Sequence, residues 1–439
     1  RGLIGAAARP ARDMPARRHA LATAWTVRTS PADLQWQGVC WSPELGLLCA
    51  VAGDGSGNRV ATSPDGVNWT SRASAADNIW SGVCWSAECG IFCAIANDGA
   101  GNRVMTSPDG IAWTARTSAA DNIWSSICWS AERGLFCAVA TSGTGNRVMT
   151  SPDGITWTAR ASAADNSWFS VCWSAELGLF CAVAYTGAGN RVMTSPDGIA
   201  WTARASAADN NWLSVCWSPD LGLFCAAANS GTGNRVMTSP DGIAWTLRAS
   251  AADNAWRAVV WAAELGLFYA IANSGTGNRV MTSADGISWI IGASAADNNW
   301  RALCWAGGLG LFCATGVSGA GARMMTSPVW PGHLSRRRNI PGYAARGDAS
   351  AVLTPGLDGV FQHVTATLTA DRVLTLSATG AVAGDLFEIR RGGGGAFTLA
   401  IVDGGPAGGT LRTGSAGLAF TGRYVFSGSN WVELSFLAA

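Results

Sequence analysis

One spacing governs this sequence. A tryptophan, preceded by cysteine in most copies, recurs at Trp41, Trp85, Trp129, Trp173, Trp217, Trp261 and Trp305, a step of 44 residues each time. A second series keeps that step: Trp36, Trp80, Trp124, Trp168, Trp212, Trp256 and Trp300. A third, from Trp25 through Trp69 and Trp113 to Trp289, starts before the first full copy and stops before the last. A fixed period in the forties with several short β-like runs fits a propeller blade, one four-stranded sheet that buries both faces only when neighbours stack on it. The copies therefore predict an all-β fold, a seven-bladed ring.

In the copy WSGVCWSAECGIFCAIANDGAGNRVMTSPDGIAWTAR, strands are expected at Trp80 to Trp85, Ile91 to Ala96, Arg103 to Ser107 and Ile111 to Arg116, each bounded by turn residues. The last copy holds Trp300 to Trp305, Leu311 to Thr315 and Arg323 to Thr326, and lacks a fourth strand. That strand stands at the other end of the chain, where Ala24-Trp25-Thr26-Val27-Arg28 matches Ala112-Trp113-Thr114-Ala115-Arg116. It is expected to complete the seventh sheet, closing the ring and removing the open edges that invite aggregation.

The domain reading follows. Residues 1–20 are a basic arm with five Arg, 21–328 the propeller, 329–347 a Pro/Gly/Arg linker containing Arg336 to Arg338, and 348–439 a small β-domain of sandwich or jelly-roll type. An apolar share of 48% against 13% charged residues describes a folded chain with large buried surfaces. A formal net charge of +1 argues against nucleic acid as a partner, which calls for a concentrated basic face. No apolar run is long enough for membrane insertion as a helix, and the first twenty residues lack the apolar core of a secretory signal.

Catalytic chemistry finds little support. His19, His333 and His363 all lie outside the ring, and the acidic residues, such as Asp121 and Glu132, are copied from blade to blade, whereas a catalytic pair is singular. No unique cluster of Arg, Tyr and Glu is legible, so no catalytic residue, metal ligand or cofactor is expected. The cysteines fall in pairs, Cys84/Cys93 and its equivalents, with Cys89 left over. Each pair flanks a hairpin, a spacing that suits a disulfide or two packed thiols; assembly in a reducing cytosol favours thiols. Zinc is not expected, because the pairs are spread around the ring with no His among them.

Binding is expected where the copies disagree. The residue after the first Trp runs Gln37, Ser81, Ser125, Phe169, Leu213, Arg257, Arg301, and one after the second strand runs Gly53, Asn97, Thr141, Tyr185, Asn229, Asn273, Val317. Both positions belong to connections that open on the same face of a propeller. Phe169, Tyr185, Leu213, Arg257 and Arg301 are the candidate ligand-binding residues, an aromatic and cationic arc suited to a glycan or protein.

Two resemblances add to this. Ser107-Pro108-Asp109-Gly110-Ile111-Ala112-Trp113 and its copies resemble the Asp-box of sialidase-like propellers, with one residue missing between Asp and Gly. That resemblance implies a structural turn away from the active face. LTADRVLTLSATGAVAGDLFEIRRGGGGAFTLAI, Leu368 to Ile401, resembles β-rich C-terminal segments of bacteriophage tail fibres and related virion fibre proteins. It implies a non-enzymatic, homotrimeric fibre or spike component of a phage or phage-like particle, assembled in the host cytoplasm. Its partners would be other virion proteins, through the arm or the last domain, and a host-surface glycan or protein. The alternatives are a purely structural head- or tail-attachment protein and, with less support, a carbohydrate-active propeller enzyme.

Overall fold

The computed structural model describes residues 24–330 and, beyond them, the backbone of nine strands between Tyr343 and Ala438. The first part forms seven four-stranded sheets, the expected blades, with no helix among the described residues. In blade 2 the strands are Trp80–Ser86, Ile91–Ala96, Val104–Ser107 and Thr114–Arg116, paired antiparallel in chain order. The fourth strand starts at Thr114 instead of Ile111 because Ile111 to Trp113 belong to the preceding turn.

That turn is held by its own side chains. Ser107 Oγ accepts from Gly110 N at 2.8 Å, and Asp109 Oδ1 accepts from Ile111 N at 2.8 Å and Ala112 N at 3.0 Å. Trp113 Nε1 donates back to Gly110 O at 3.1 Å. Gly110 sits at φ 73°, where a Cβ would come within 3.1 Å of Thr62 and 3.2 Å of Leu47 on the preceding blade. The position thus requires glycine both for its backbone and for the approach of its neighbour. Blade 6 has Ala284 in place of Pro, yet Asp285 accepts the same two N–H groups at 2.8 Å. Pro tunes the turn without making it.

Blades pack through large side chains. The seven tryptophans from Trp36 to Trp300 have no exposed surface, and Trp80 Nε1 donates to Ala76 O at 3.1 Å, tying the connection between blades to the strand that follows. A Trp so buried costs about 3–5 kcal/mol to truncate to Ala. Trp124, Ile127, Phe136 and Met149 of blade 3 close over Cys93, Ile95 and Val104 of blade 2. Lower down, Trp129 lies 4.5 Å from Phe136, and its Nε1 reaches Glu88 on the blade 2 hairpin at 2.6 Å. The repeated hairpin acids, Glu132 and Glu176 among them, are therefore blade-to-blade ties.

The ring closes as expected. Thr26–Arg28 pairs antiparallel with Met324–Thr326 to complete the sheet whose other strands are Leu311–Gly316 and Trp300–Ala306. Asp33 takes the role that Asp121 plays in blade 2, accepting from Gly321 N at 3.0 Å and pairing with Arg323 at 2.8 Å. Trp25 seals the seam against Tyr269 and Phe312, whose rings lie 3.9 Å apart.

Cys84 stands directly opposite Cys93, and the other five pairs repeat the register, as the spacing implied. All 13 cysteines are free thiols. Burial among apolar groups pushes the twelve paired thiols up, Cys313 to about 12. Blade 6 replaces the pair by Val260 opposite Tyr269, which supplies the seam ring just described.

The chain divides after Pro328. The second unit is all-β: a five-stranded sheet and a four-stranded sheet, between which the first six strands alternate, while Leu399–Gly404 pairs with Gly409–Gly414 and Phe420–Phe426 with Trp431–Ala438 as antiparallel neighbours. Phe361–Val364 pairs in parallel with Tyr343–Arg346 and Leu386–Arg391, and Arg372–Ser377 pairs in parallel with Ala351–Leu353 and Leu399–Gly404. Parallel neighbours depart from the expected jelly-roll order, which is antiparallel. Tyr343–Arg346 also places a strand inside the expected 329–347 linker. The arm at 1–20 lies outside the described residues. No helix among the described residues is long and apolar enough to cross a membrane.

Candidate functional site

The innermost strand of every blade carries an irregularity that positions one residue. In blade 3, Trp124 pairs with Ala140 and Ser126 with Val139, leaving Ser125 as an extra residue; the same shift falls at Gln37, Ser81, Phe169, Leu213, Arg257 and Arg301. The cause is packing. Trp124 and Ile127 both face blade 2, although three residues of regular strand would put them on opposite faces. A bulge absorbs the odd residue and redirects its side chain. Around the ring, these seven bulge residues line one end of the axial channel, above a collar from Val39 to Leu303.

Three of them meet. Phe169 of blade 4 lies under the guanidinium of Arg257 from blade 6 and that of Arg301 from blade 7, each Cζ 5.5 Å from the ring centroid. Such contacts contribute roughly 0.5–2 kcal/mol each. Tyr185, exposed at the rim, is 6.4 Å from Phe169, centroid to centroid. The arginines copied through the repeat donate to oxygens: Arg103 pairs with Asp121 at 3.5 Å, and Arg116 Nε reaches Thr106 Oγ1 at 2.9 Å. Arg257 and Arg301 have no such acceptor among the described residues. Burial lowers Arg301 to about 10, which leaves it cationic at neutral pH.

The channel encloses about 300 Å³, and its lining contains no Asp, Glu or His. Ser126, Ser170 and Ser214 accept through Oγ from Val171 N, Val215 N and Val259 N on the next blade at 3.3, 3.1 and 3.0 Å. Ala258 and Ala302, beside the two arginines, provide no such hydroxyl. Gln37, Asn273, Asn299 and Val317 border the adjoining part of the mouth. No group of three or more His, Cys, Asp or Glu able to hold a metal ion occurs among the described residues.

Four of the five sequence-marked residues, Phe169, Leu213, Arg257 and Arg301, line this channel, in a different arrangement from the expected one. The expected arc over blades four to seven is a cluster at the axis, because the bulge turns these residues inward. Leu213 is a correction: only 3% exposed, it belongs to the channel wall and does not present a contact surface. The axis also breaks the ring's symmetry, with an Arg pair on Phe169, whose ring lies 6.4 Å from that of Tyr185; the channel lining contains no Glu. Asn299 was missed. The residue before each first Trp also varies, and that variation was the available signal. The face assignment holds: Gly101 N donates to Asp121 Oδ1 at 2.8 Å, joining the two connections that open at this end.

No family model matches the chain, and no curated protein matches it. Solved structures do. A streptogramin B lyase is similar over 69% of this chain and 96% of its own, with a TM-score of 0.57 and 8% identity. The Cps50 (Swd1) beta-propeller domain from Myceliophteria thermophila is similar over 70% of this chain and 100% of its own, with a TM-score of 0.53 and 11% identity. At these identities the likeness shows the propeller fold alone.

Proposed function

We propose that this chain is a non-enzymatic fibre or spike component of a phage or phage-like particle, with the channel mouth as its contact to a host-surface glycan or protein. The observation that carries the reading is the meeting of Phe169, Arg257 and Arg301, which break the ring's symmetry at one place on an otherwise copied scaffold. A rigid ring presenting a small aromatic and cationic patch suits binding, and repetition of the patch in a homotrimer would raise weak single-site affinity through avidity. The mouth offers cations, hydroxyls and amides but no carboxylate or imidazole among its lining residues, which favours recognition over acid–base chemistry.

The resemblance of Leu368 to Ile401 to virion fibre segments supports placing the chain on a particle, with the arm at 1–20 or the two-sheet C-terminal domain, read as a small sandwich, docking to other virion proteins. The test is adsorption. Particles carrying Phe169→Ala, Tyr185→Ala, Arg257→Ala and Arg301→Ala together should lose attachment to host cells while still assembling. Full attachment by such particles would leave the chain a purely structural part.

A further inference from the structure

We propose that the mouth of the channel is an anion site, and that its ligand is an acidic saccharide unit whose carboxylate lies between Arg257 and Arg301. This rests on the reading of the mouth as the recognition surface and names the chemistry recognised there. Two guanidiniums converge on one phenyl ring at 5.5 Å each and have neither a carboxylate nor a hydrogen-bond acceptor among the described residues. Like charges brought together in a partly desolvated place repel, and the arrangement gains most from a ligand that brings a negative charge. Elsewhere the ring shows what neutralisation looks like: Arg59, Arg103, Arg147, Arg191, Arg235, Arg279 and Arg323 each have an Asp. The two at the mouth stand apart from that pattern.

Size and chemistry select the rest of the ligand. About 300 Å³ lies at the small end of ligand pockets, enough for one sugar-sized unit with its carboxylate. Guanidinium is matched to carboxylate by its planar fork, which can donate two parallel hydrogen bonds to one group. Around it, Gln37, Asn273 and Asn299 offer amide groups to hydroxyls, and the exposed ring of Tyr185 offers a flat apolar surface at the rim. Collar residues such as Val39 and Val259 add apolar lining to the channel, so the ligand's hydroxyls would cluster toward the amides of the mouth.

Calorimetric titration of the full chain with D-glucuronate, D-glucose and acetate tests this, the three differing in charge and sugar ring. Glucuronate should bind at least about tenfold more tightly than either of the others, and added salt should weaken it. Arg257→Gln and Arg301→Gln should each reduce glucuronate affinity roughly tenfold or more at an unchanged melting temperature. If either variant melts early, Arg→Lys at the same position, which keeps the charge and loses the fork, should still weaken binding. Glucose binding as tightly as glucuronate, or no binding of glucuronate, overturns the anion site; acetate binding as tightly overturns the sugar. Glucuronate binding by a chain whose mouth variants leave particle adsorption intact would sink the receptor reading and keep the anion site. Lost adsorption without glucuronate binding would do the reverse.

Discussion

Arg28 donates through Nε to Thr326 Oγ1 at 2.9 Å, across 298 residues of chain, in the geometry that joins Arg116 to Thr106 across ten. The first strand of the ring therefore behaves as the fourth strand of its last blade in side-chain detail as well as in backbone pairing. Closure thus copies a local contact between the two ends of the ring, and the seventh sheet reaches the same four strands as the other six.

Loss of the closing strand should therefore cost more than its three paired residues suggest. Trp25→Ala is expected to destabilise the ring by about 3–5 kcal/mol in urea denaturation. A chain beginning after Arg28 exposes the edge at Met324–Thr326 and should elute as larger species in size-exclusion chromatography. A monomeric truncated chain with an unchanged denaturation midpoint would contradict this account of closure.

Two glycines of blade 2 separate backbone strain from packing. Gly101 has φ 71° with nothing within 4 Å of an added Cβ, while Gly110 has φ 73° and would meet Thr62 and Leu47. Gly101→Ala should cost about 1–2 kcal/mol, from the left-handed backbone alone. Gly110→Ala should cost more, since the preceding blade must also give way. Equal losses in the two denaturation curves would mean that the blades yield freely at this contact.

Thiol reactivity should follow burial. Desolvation holds the paired cysteines well above the ordinary thiol range, so few thiolates exist at mild pH. Cys89 is the exception in place, half-buried in the hairpin between the first two strands of blade 2, with its Sγ 3.5 Å from Pro152 O. An aromatic disulfide reagent at about pH 8 should label one thiol of the native chain rapidly, and all 13 after denaturation without reductant. A denatured count of one would instead mean six disulfides.

Acid should loosen the turns. Asp109, Asp197 and Asp241 lie below the usual carboxylate range, chiefly because the N–H groups of Ala112, Ala200 and Ala244 bond to the ionised form. A folded pKa depressed in this way contributes stability that is complete above the unfolded value, about 3.9, and is lost as pH falls through the folded one. The thermal midpoint should hold from about pH 8 to pH 5 and drop below about pH 4. Replacing all three by Asn should shrink that drop; a drop of the same size would place its source elsewhere.

What the residues determined by themselves was everything that repeats. A period of 44 residues, turn residues at fixed offsets and a stray Trp25 strand were enough for blade number, strand order and closure, because each is set by local pairing and by a mismatch between the two ends. The Cys84/Cys93 register was legible for the same reason. Tertiary structure decided where the variable residues point and which of them meet. Leu213 and Arg257 occupy the same place in the repeat, yet one is buried wall and the other a cation without an acceptor, since neighbours across the axis set each environment. Trp124 and Ile127 force the bulge by sharing an interface, and the bulge turns Phe169, Arg257 and Arg301 from three different blades onto one point. Distances across a closed ring depend on how all seven sheets stack, and no stretch of sequence contains them.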